Sequence, residues 1–332
     1  MLRVSVIGAG PMGRLHARAV ARRASKRRDS ELAFIVDRHE PLREAVAKEF
    51  GGTASAGLSG VLADAERLSE SDRAVAIVAV PTAAHAEITQ ALLAGGVDVL
   101  LEKPMTGNLE AATRLVEQAR TQGRVFAVGH VEWFNPTLRA AWACVADPRQ
   151  IVIERMNPES PRGLDIDVVQ DFMLHDLDWL RRSVASEVTS VEASGRVAAE
   201  GEDRGLDVAE ATLLFACGVR ARVRASRVHD DRRRRIEIEG RQGEQSVCVD
   251  ADLLRGEILL RRGEEIERVS ANPSFAHEGD IDEPLDQQLA DFVQAVEART
   301  TPANDGQVGV ETLALVERIR TTILRSSEGE EV

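Results

Sequence analysis

The chain of 332 residues has no tyrosine, only three tryptophans and eight phenylalanines, so Val, Leu, Ile and Ala must fill its cores. It also lacks an excess of positive charge. With 42 Lys and Arg against 55 Asp and Glu, the formal charge is -13, which argues against nucleic-acid or anionic-membrane partners. A locally positive pocket is still compatible with that total. No apolar run approaches the roughly 20 residues of a membrane span. Cys144, Cys217 and Cys248 are odd in number, far apart and in no CxxC pair. Reduced thiols in a cytoplasmic protein are the expectation. The opening MLRVSVIGAG begins with a strand and a glycine loop rather than with the pattern of a signal peptide. No HExxH or compact Cys/His set is present, so no metal is expected.

The length suits two domains. Leu2–Ile7 reads as an apolar strand, Gly8-Ala-Gly10-Pro11-Met12-Gly13 as a tight loop, and residues 11–23 as a helix. Pro11 fits the first helical turn, where its missing N–H costs nothing. The glycine spacing permits a tight turn, close approach of a pyrophosphate and close helix–strand packing. Backbone N–H groups at the helix start can receive phosphate oxygens. A plain Gly-rich turn has the same letters; the strand-to-helix junction favours the dinucleotide reading. A second strand, Glu31–Val36, ends at Asp37, which can accept from an adenosine ribose diol and repel a 2′-phosphate. NAD is therefore preferred over NADP, although Arg38 and His39 are cations that speak for the phosphate.

Strands at Val75–Val80 and Val97–Leu101 precede Pro81-Thr82 and Glu102-Lys103-Pro104, and Val125–Val128 precedes Gly129-His130. With helices at 84–94 and 108–122, the rhythm is that of a doubly wound parallel sheet. Gly8, Asp37, Thr82, Lys103 and His130 all fall just beyond carboxyl ends of strands, where such sheets bind ligands. His85 and His130 either pack a helix end or touch a ligand. Lys103 is either a charged strand terminus or a cation aimed into the crevice by the extended backbone that Pro104 imposes.

The first domain is assigned to residues 1–130 and the second, for substrate binding and oligomerisation, to 131–332. In the second, Ile151–Met156, Val188–Ala193, Leu206–Phe215, Val219–Ser226, Ile236–Glu239, Ser246–Val249 and Ile258–Leu260 read as strands of a mostly antiparallel sheet. The fold class is thus α/β plus α+β, a Rossmann domain followed by a large-sheet domain. Arg220, Arg222 and Arg224 share one strand face, read as solvated or subunit-contacting, and DDRRRRIEIEG has the same ambiguity. Such a broad sheet favours a homodimer or homotetramer. Amphipathic helices near 284–298 and 307–325 are expected to return to the domain junction.

Between these strands, Val168–Arg182 is helical in pattern and carries DFMLHDLDWL, where Asp171, His175 and Asp178 recur at spacings of four and three. They form either a solvated stripe or the proton-handling side of a pocket, since a metal would need further ligands. Oxidising a secondary alcohol requires a hydride acceptor, which NAD supplies, and a base for the hydroxyl proton. A neutral His175, oriented by Asp171, is the preferred base, with Lys103 stabilising negative charge on the same oxygen. The reverse assignment, with Lys103 as base, stays open.

GAGPMG, LLEKP and Asp171-x-x-x-His175, in that order, resemble the glucose–fructose oxidoreductase/inositol dehydrogenase family along nearly the whole chain. The resemblance implies a Rossmann domain joined to a large antiparallel-sheet domain, with Lys103 and His175 lining the nicotinamide-side substrate pocket and a cis Lys103–Pro104 bond. VPTAAHAEI, LLEKPMTG, VGHVEWFNP, QDFMLHDLDWL, RRRRIEIEG and EPLDQQLADFV narrow it towards the bacterial enzymes that oxidise the 3-hydroxyl of UDP-N-acetylglucosamine. A sugar-nucleotide substrate is then implied, with a 3-keto product suited to a pyridoxal-phosphate aminotransferase and leading towards a 3-amino sugar of lipid A. Cofactor contacts are expected from Gly8, Gly10, Pro11, Met12, Gly13, Asp37, Arg38, Pro81, Thr82, His85, Glu102 and Lys103. Substrate contacts are expected from Lys103, His130, Glu132, Trp133, Asn135, Arg155, Arg162, Asp171 and His175. Two departures matter. Trp133 stands where the resemblance leads one to expect arginine, and Asp167 stands where glycine is common, calling for neutralisation by Arg155 or Arg162. Another sugar nucleotide, a free sugar or inositol, or a nonenzymatic nucleotide sensor are the alternatives.

Overall fold

The computed structural model describes residues 1–69, 72–159, 166–198, 205–271 and 283–328. They form two compact units, Met1–His130 with Ile281–Glu311, and Val131–Asp280 with Thr312–Val332.

In the first unit, strands and helices alternate as β1 (Leu2–Ile7), α1 (Pro11–Arg27), β2 (Ser30–Val36), α2 (Glu40–Phe50), β3 (Thr53–Ser55), α3 (Ser59–Arg67), β4 (Arg73–Val78), α4 (His85–Ala94), β5 (Asp98–Leu101), α5 (Leu109–Thr121) and β6 (Phe126–Val128). Among the described residues these strands make a six-stranded sheet of order β3-β2-β1-β4-β5-β6, every pairing parallel. The order reverses between β1 and β4, which in an open α/β sheet is the switch point for a dinucleotide. Helices cover both faces of such a sheet, so its strands read as near-continuous apolar runs, and β4 and β5 are buried along almost their full lengths. The basic stretch after residue 23 is helical, extending α1 to Arg27, where Lys26 and Arg27 lie in the last turn and oppose the helix dipole favourably. α2, β3 and α3 are elements that the sequence pattern does not announce.

The second unit contains α6 (Pro136–Ala143), β7 (Asp147–Met156), α7 (Leu174–Val184), β8 (Val188–Arg196), β9 (Val208–Phe215), β10 (Arg220–Ser226), β11 (Arg233–Gln242), β12 (Gln245–Asp252), β13 (Glu257–Arg262) and β14 (Glu265–Ser270). Among the described residues its sheet has eight strands in the order β14-β13-β12-β11-β7-β10-β9-β8, antiparallel except where β10 runs parallel to β7. One face packs Ile151, Ile153, Ala221, Val223, Ile236, Ile238 and Val249 against Leu138, Leu177, Trp179 and Leu180. Full burial of each such aliphatic side chain is worth roughly 1.5–3 kcal/mol.

Two C-terminal helices follow, α8 (Pro284–Ala298) and α9 (Gly306–Glu328). Their grouping differs from the simple division at residue 130. Leu289, Phe292, Val293 and Val296 of α8 are buried in one cluster with Val4, Val75, Ile77 and Leu100 of the parallel sheet. Burial of that apolar face keeps α8 in the first unit. The first turn of α9 also groups there, whereas Leu315, Val316, Ile319 and Ile323 enter the core of the second. Among the described residues no helix is long and apolar enough to cross a membrane.

Candidate active site

The candidate residues divide between the two units. In the first, the glycine loop is dictated by close contacts. Gly8 has φ +103, and a Cβ there would lie 2.3 Å from the Ala79 carbonyl oxygen. A Cβ on Gly13 would lie 1.8 Å from the Gly8 carbonyl oxygen, so only glycine lets α1 approach this close to β1. Gly10 is different: a Cβ would meet nothing within 4 Å. No local packing demands glycine there, whereas a pyrophosphate approaching the backbone would. The start of α1 has Pro11 in its first turn, no side-chain cap and no acidic residue, a setting that suits an anion. Met12 and Arg38 are exposed beside these loops.

Asp37 follows β2 and accepts from the Ala9 N–H through Oδ2 (2.8 Å) and from the His39 N–H through Oδ1 (2.7 Å). Each carboxylate oxygen has a second lone pair, so this anchored Asp37 can still accept from a ribose diol. The loop, the open side of Gly10 and this carboxylate fit an NAD.

Lys103 is half-buried after β5, and its bond to Pro104 is cis. Its neighbours hold its backbone. Glu102 is 7% exposed and accepts at 2.7 Å from His16 of α1 and at 3.1 Å from the Lys103 N–H. Burial acts to raise the Glu102 pKa, but the His16 hydrogen bond, the His16 charge and the Lys103 charge together bring it below the ordinary value. His85, also buried, places Nδ1 2.9 Å from the Pro104 carbonyl oxygen and Nε2 2.8 Å from that of Val80. His85 therefore braces the Pro81-Thr82 turn against the residue after Lys103 instead of opening a ring nitrogen to a ligand. His130 is buried, with its carbonyl accepting from the Asn304 side-chain amide at 2.8 Å. Glu102, His16 and His85 thus form the setting of Lys103, and nothing in the sequence pattern pairs His16 with Glu102, 86 residues away.

In the second unit, Asp171 and His175 are half-buried, on a π-helical turn at Val169–Met173 and on the first turn of α7. The sequence predicted one α-helical face bearing Asp171, His175 and Asp178. The π turn changes the register, and Asp178 is fully buried, accepting from the Thr312 hydroxyl at 3.1 Å and pairing with Arg182 at 3.3 Å. Asp178 belongs to the core and not to a stripe.

Arg155 also has a different role from the one expected. It is 2% exposed, donates through Nε and Nη2 to both oxygens of Asp176 (2.9 and 2.7 Å), and through Nη2 to Glu132 at 3.0 Å. Burial opposes its charge, but Asp176 and Glu132 outweigh burial and hold its pKa above the ordinary value. Glu132 is pulled below its ordinary value: burial works to raise it, and Arg155, Asn135 and Arg234 prevail. Asn135 caps α6 by accepting from the Thr137 N–H at 3.0 Å and donates to Glu132 at 2.8 Å. Trp133 is stacked under the Arg182 guanidinium, 3.6 Å from the ring centre. Asp167 is neutralised by Arg320 at 2.5 Å, not by Arg155, and its carboxylate also accepts from the Val169 and Gln170 N–H groups. That cap starts the π turn, which explains why a carboxylate is tolerated there. Arg162 lies outside the described residues.

A parallel sheet with this glycine loop, and an antiparallel sheet after it, define a class: residues 2–130 match the oxidoreductase family with an NAD-binding Rossmann fold, and residues 137–245 match the GFO/IDH/MocA C-terminal domain. The chain belongs to this family, and NAD is its cofactor. It is 30% identical to the UDP-N-acetylglucosamine 3-dehydrogenase of Acidithiobacillus ferrooxidans over 97% of both chains. A solved structure of that protein superposes with a TM-score of 0.81 over 97% of each chain at 29% identity. The chain is also 24% identical to an inositol 2-dehydrogenase of Rhizobium meliloti over 95% of both chains. A levoglucosan dehydrogenase shares the fold, with a TM-score of 0.84 at 18% identity over 98% of this chain and 97% of that one.

Proposed function

We propose that this NAD-dependent oxidoreductase oxidises the 3-hydroxyl of UDP-N-acetylglucosamine to a ketone. The supporting observation is the 30% identity to the Acidithiobacillus 3-dehydrogenase over 97% of both chains, with neither domain left out of the match. NAD, when bound, supplies the hydride acceptor. His175 takes the hydroxyl proton, and Asp171, four residues earlier on the π turn, orients its ring. Such π turns occur mostly inside α-helices and often at functional sites. Lys103 donates to the substrate oxygen and stabilises the negative charge that develops as the proton leaves. Glu102 and His85 are positioning residues for Lys103. His130, Glu132, Trp133 and Asn135 shape the substrate side, Glu132 and Asn135 by holding the Arg155 network.

A 3-keto product is a substrate for transamination, so a pyridoxal-phosphate aminotransferase is the natural consumer. The broad antiparallel sheet suits a homodimer or homotetramer, and three unbridged cysteines suit the cytoplasm. A second reading, oxidation of inositol or a free sugar, draws on the Rhizobium relative. The deciding experiment incubates the protein and NAD with a panel of sugar nucleotides, free sugars and inositol, with a carbonyl trap and mass detection of a product lighter by two hydrogens. UDP-N-acetylglucosamine should give a trapped 3-keto product. A product from inositol or a free sugar alone would reject the proposed substrate, and no product from any of them would reject the oxidation.

A further inference from the structure

Arg232 to Arg235 enter β11 as four consecutive arginines, and strand alternation sorts them. Arg233 and Arg235 lie on the outer face, paired with Glu154 at 3.5 Å and with Asp250. Arg234 lies on the other face, that of Ile236 and Ile238, and its register partner in β7 is Arg155. Like charges directly opposite across two strands are destabilising. Arg155 is compensated by both oxygens of Asp176 and by Glu132. Arg234 is not compensated to that degree. The carboxylate oxygen with which it pairs, Glu132 Oε1, is 3.8 Å away, beyond hydrogen-bond range and already engaged by Arg155. Its side chain is 28% exposed, and its Nε is buried without a hydrogen-bond partner.

Burial first, and the Arg155 charge second, push the Arg234 pKa down to about 10. Burial and the Arg155 charge thus work against a guanidinium that stays charged, and Glu132 and Asp176 offset them only in part. At neutral pH the protein therefore keeps a guanidinium that its own neighbours discourage. Ionisable groups perturbed by burial and a specific charged neighbour are enriched at functional sites. An arriving anion would relieve the repulsion and offer an acceptor to the Nη groups, which Glu132 at 3.8 Å does not satisfy.

We infer that Arg234 is the residue of this chain that contacts a phosphoryl group of the substrate. The inference rests on the proposed sugar-nucleotide reading and narrows it to a substrate recognised through its diphosphate. The planar guanidinium donates two parallel hydrogen bonds to phosphate oxygens, and Arg155, enclosed by two carboxylates, has no comparable opening. The position is tied to the chemistry as well. Asp176, which holds Arg155 opposite Arg234, directly follows His175 in α7, so Asp176 and Arg155 link the helical turn carrying the proposed base to the strand carrying Arg234.

The test uses full-length protein and calorimetric titration with UDP, inorganic pyrophosphate and uridine, with NADH as control. Arg234→Gln should lose about tenfold or more in UDP affinity, the scale of one hydrogen bond to a charged group. Pyrophosphate affinity should fall in parallel, NADH affinity should hold, and the unfolding temperature should not drop. Arg234→Lys, which keeps the charge, should recover part of the loss. If UDP binding is lost in Arg234→Gln while no sugar nucleotide is oxidised by the wild type, the phosphoryl contact stands and the dehydrogenase reading fails. If UDP-N-acetylglucosamine is oxidised and Arg234→Gln binds UDP as the wild type does, the oxidation stands and the contact is overturned. It is also overturned if the wild type binds uridine as tightly as UDP, or binds neither UDP nor pyrophosphate.

Discussion

The two sheets handle charge in opposite ways. In the first unit β1, β4 and β5 are largely apolar and buried, with few polar members such as Ser5 and the Arg299-paired Asp98, and the candidate ligand residues Asp37, Glu102 and Lys103 lie past the strand ends. In the second, β9 to β13 alternate, with one apolar face and one face laced by pairs such as Arg222–Glu210 and Arg224–Glu154. The first unit therefore builds its candidate ligand site from backbone geometry, which glycine and carboxyl-end loops supply. The second builds its candidate site from side chains, which need a buried network to hold them still. Damage should differ accordingly: steric at a glycine, electrostatic at an arginine.

The largest structural effect is expected at Arg155. Arg155→Met leaves Asp176 and Glu132 buried without their cation, and removing one partner of a buried pair typically costs about 3–5 kcal/mol. Chemical unfolding should show that loss, and near-native stability would mean the network is dispensable. The glycine loop comes next. Gly13→Ala should destabilise by up to about 3 kcal/mol, the upper range for overpacking. Gly10→Ala, with open space around its new methyl, should change stability by less than roughly 0.5 kcal/mol. It should nevertheless weaken NAD about tenfold, or ~1.4 kcal/mol. Equal stability losses in the two variants would erase the distinction between a packing glycine and a ligand glycine.

A smaller effect concerns acid. The Glu132 pKa is lowered in the fold, so the unfolded chain takes up that proton first as pH falls. Its contribution is present above the unfolded value of roughly 4.3 and is lost as pH drops through the folded one. Glu132→Gln should therefore show a shallower loss of stability over that window than the wild type, whatever its stability at pH 7. Parallel slopes would contradict the direction of the shift. The smallest effect is expected on the solvated face, where Arg222 and Glu210 are 51% and 32% exposed. A double-mutant cycle there should return no more than about 1 kcal/mol, shrinking with salt.

Much of this architecture is legible in the residues themselves. The GAGPMG loop after an apolar strand, the turn after each later strand and the alternation in GVRARVRASR announce one parallel and one antiparallel sheet. Lys103 and Asp37 stand out as candidates because ligands of such sheets bind beyond the strand ends. Other features depend on tertiary partners. Nothing in VQDFM signals a π turn, and nothing in LHDLDWL signals that Asp178 is buried against Thr312 and Arg182. Arg155 and Arg234 are alike as letters, and only the positions of Asp176 and Glu132 leave one closely paired and the other at 3.8 Å from a shared carboxylate. Residues 40–67 carry little apolar periodicity, since α2 and α3 each bury a single residue, Val46 and Val61.

Lys103 and His175 remain the pair on which the proposed oxidation turns. The most direct measurement is turnover of UDP-N-acetylglucosamine by Lys103→Met and His175→Asn, set beside the NADH affinity of each variant. Turnover should fall by about 10²–10⁴, the usual reach of a general acid–base group, while NADH affinity stays near that of the wild type. Turnover at the wild-type rate in either variant would contradict the account.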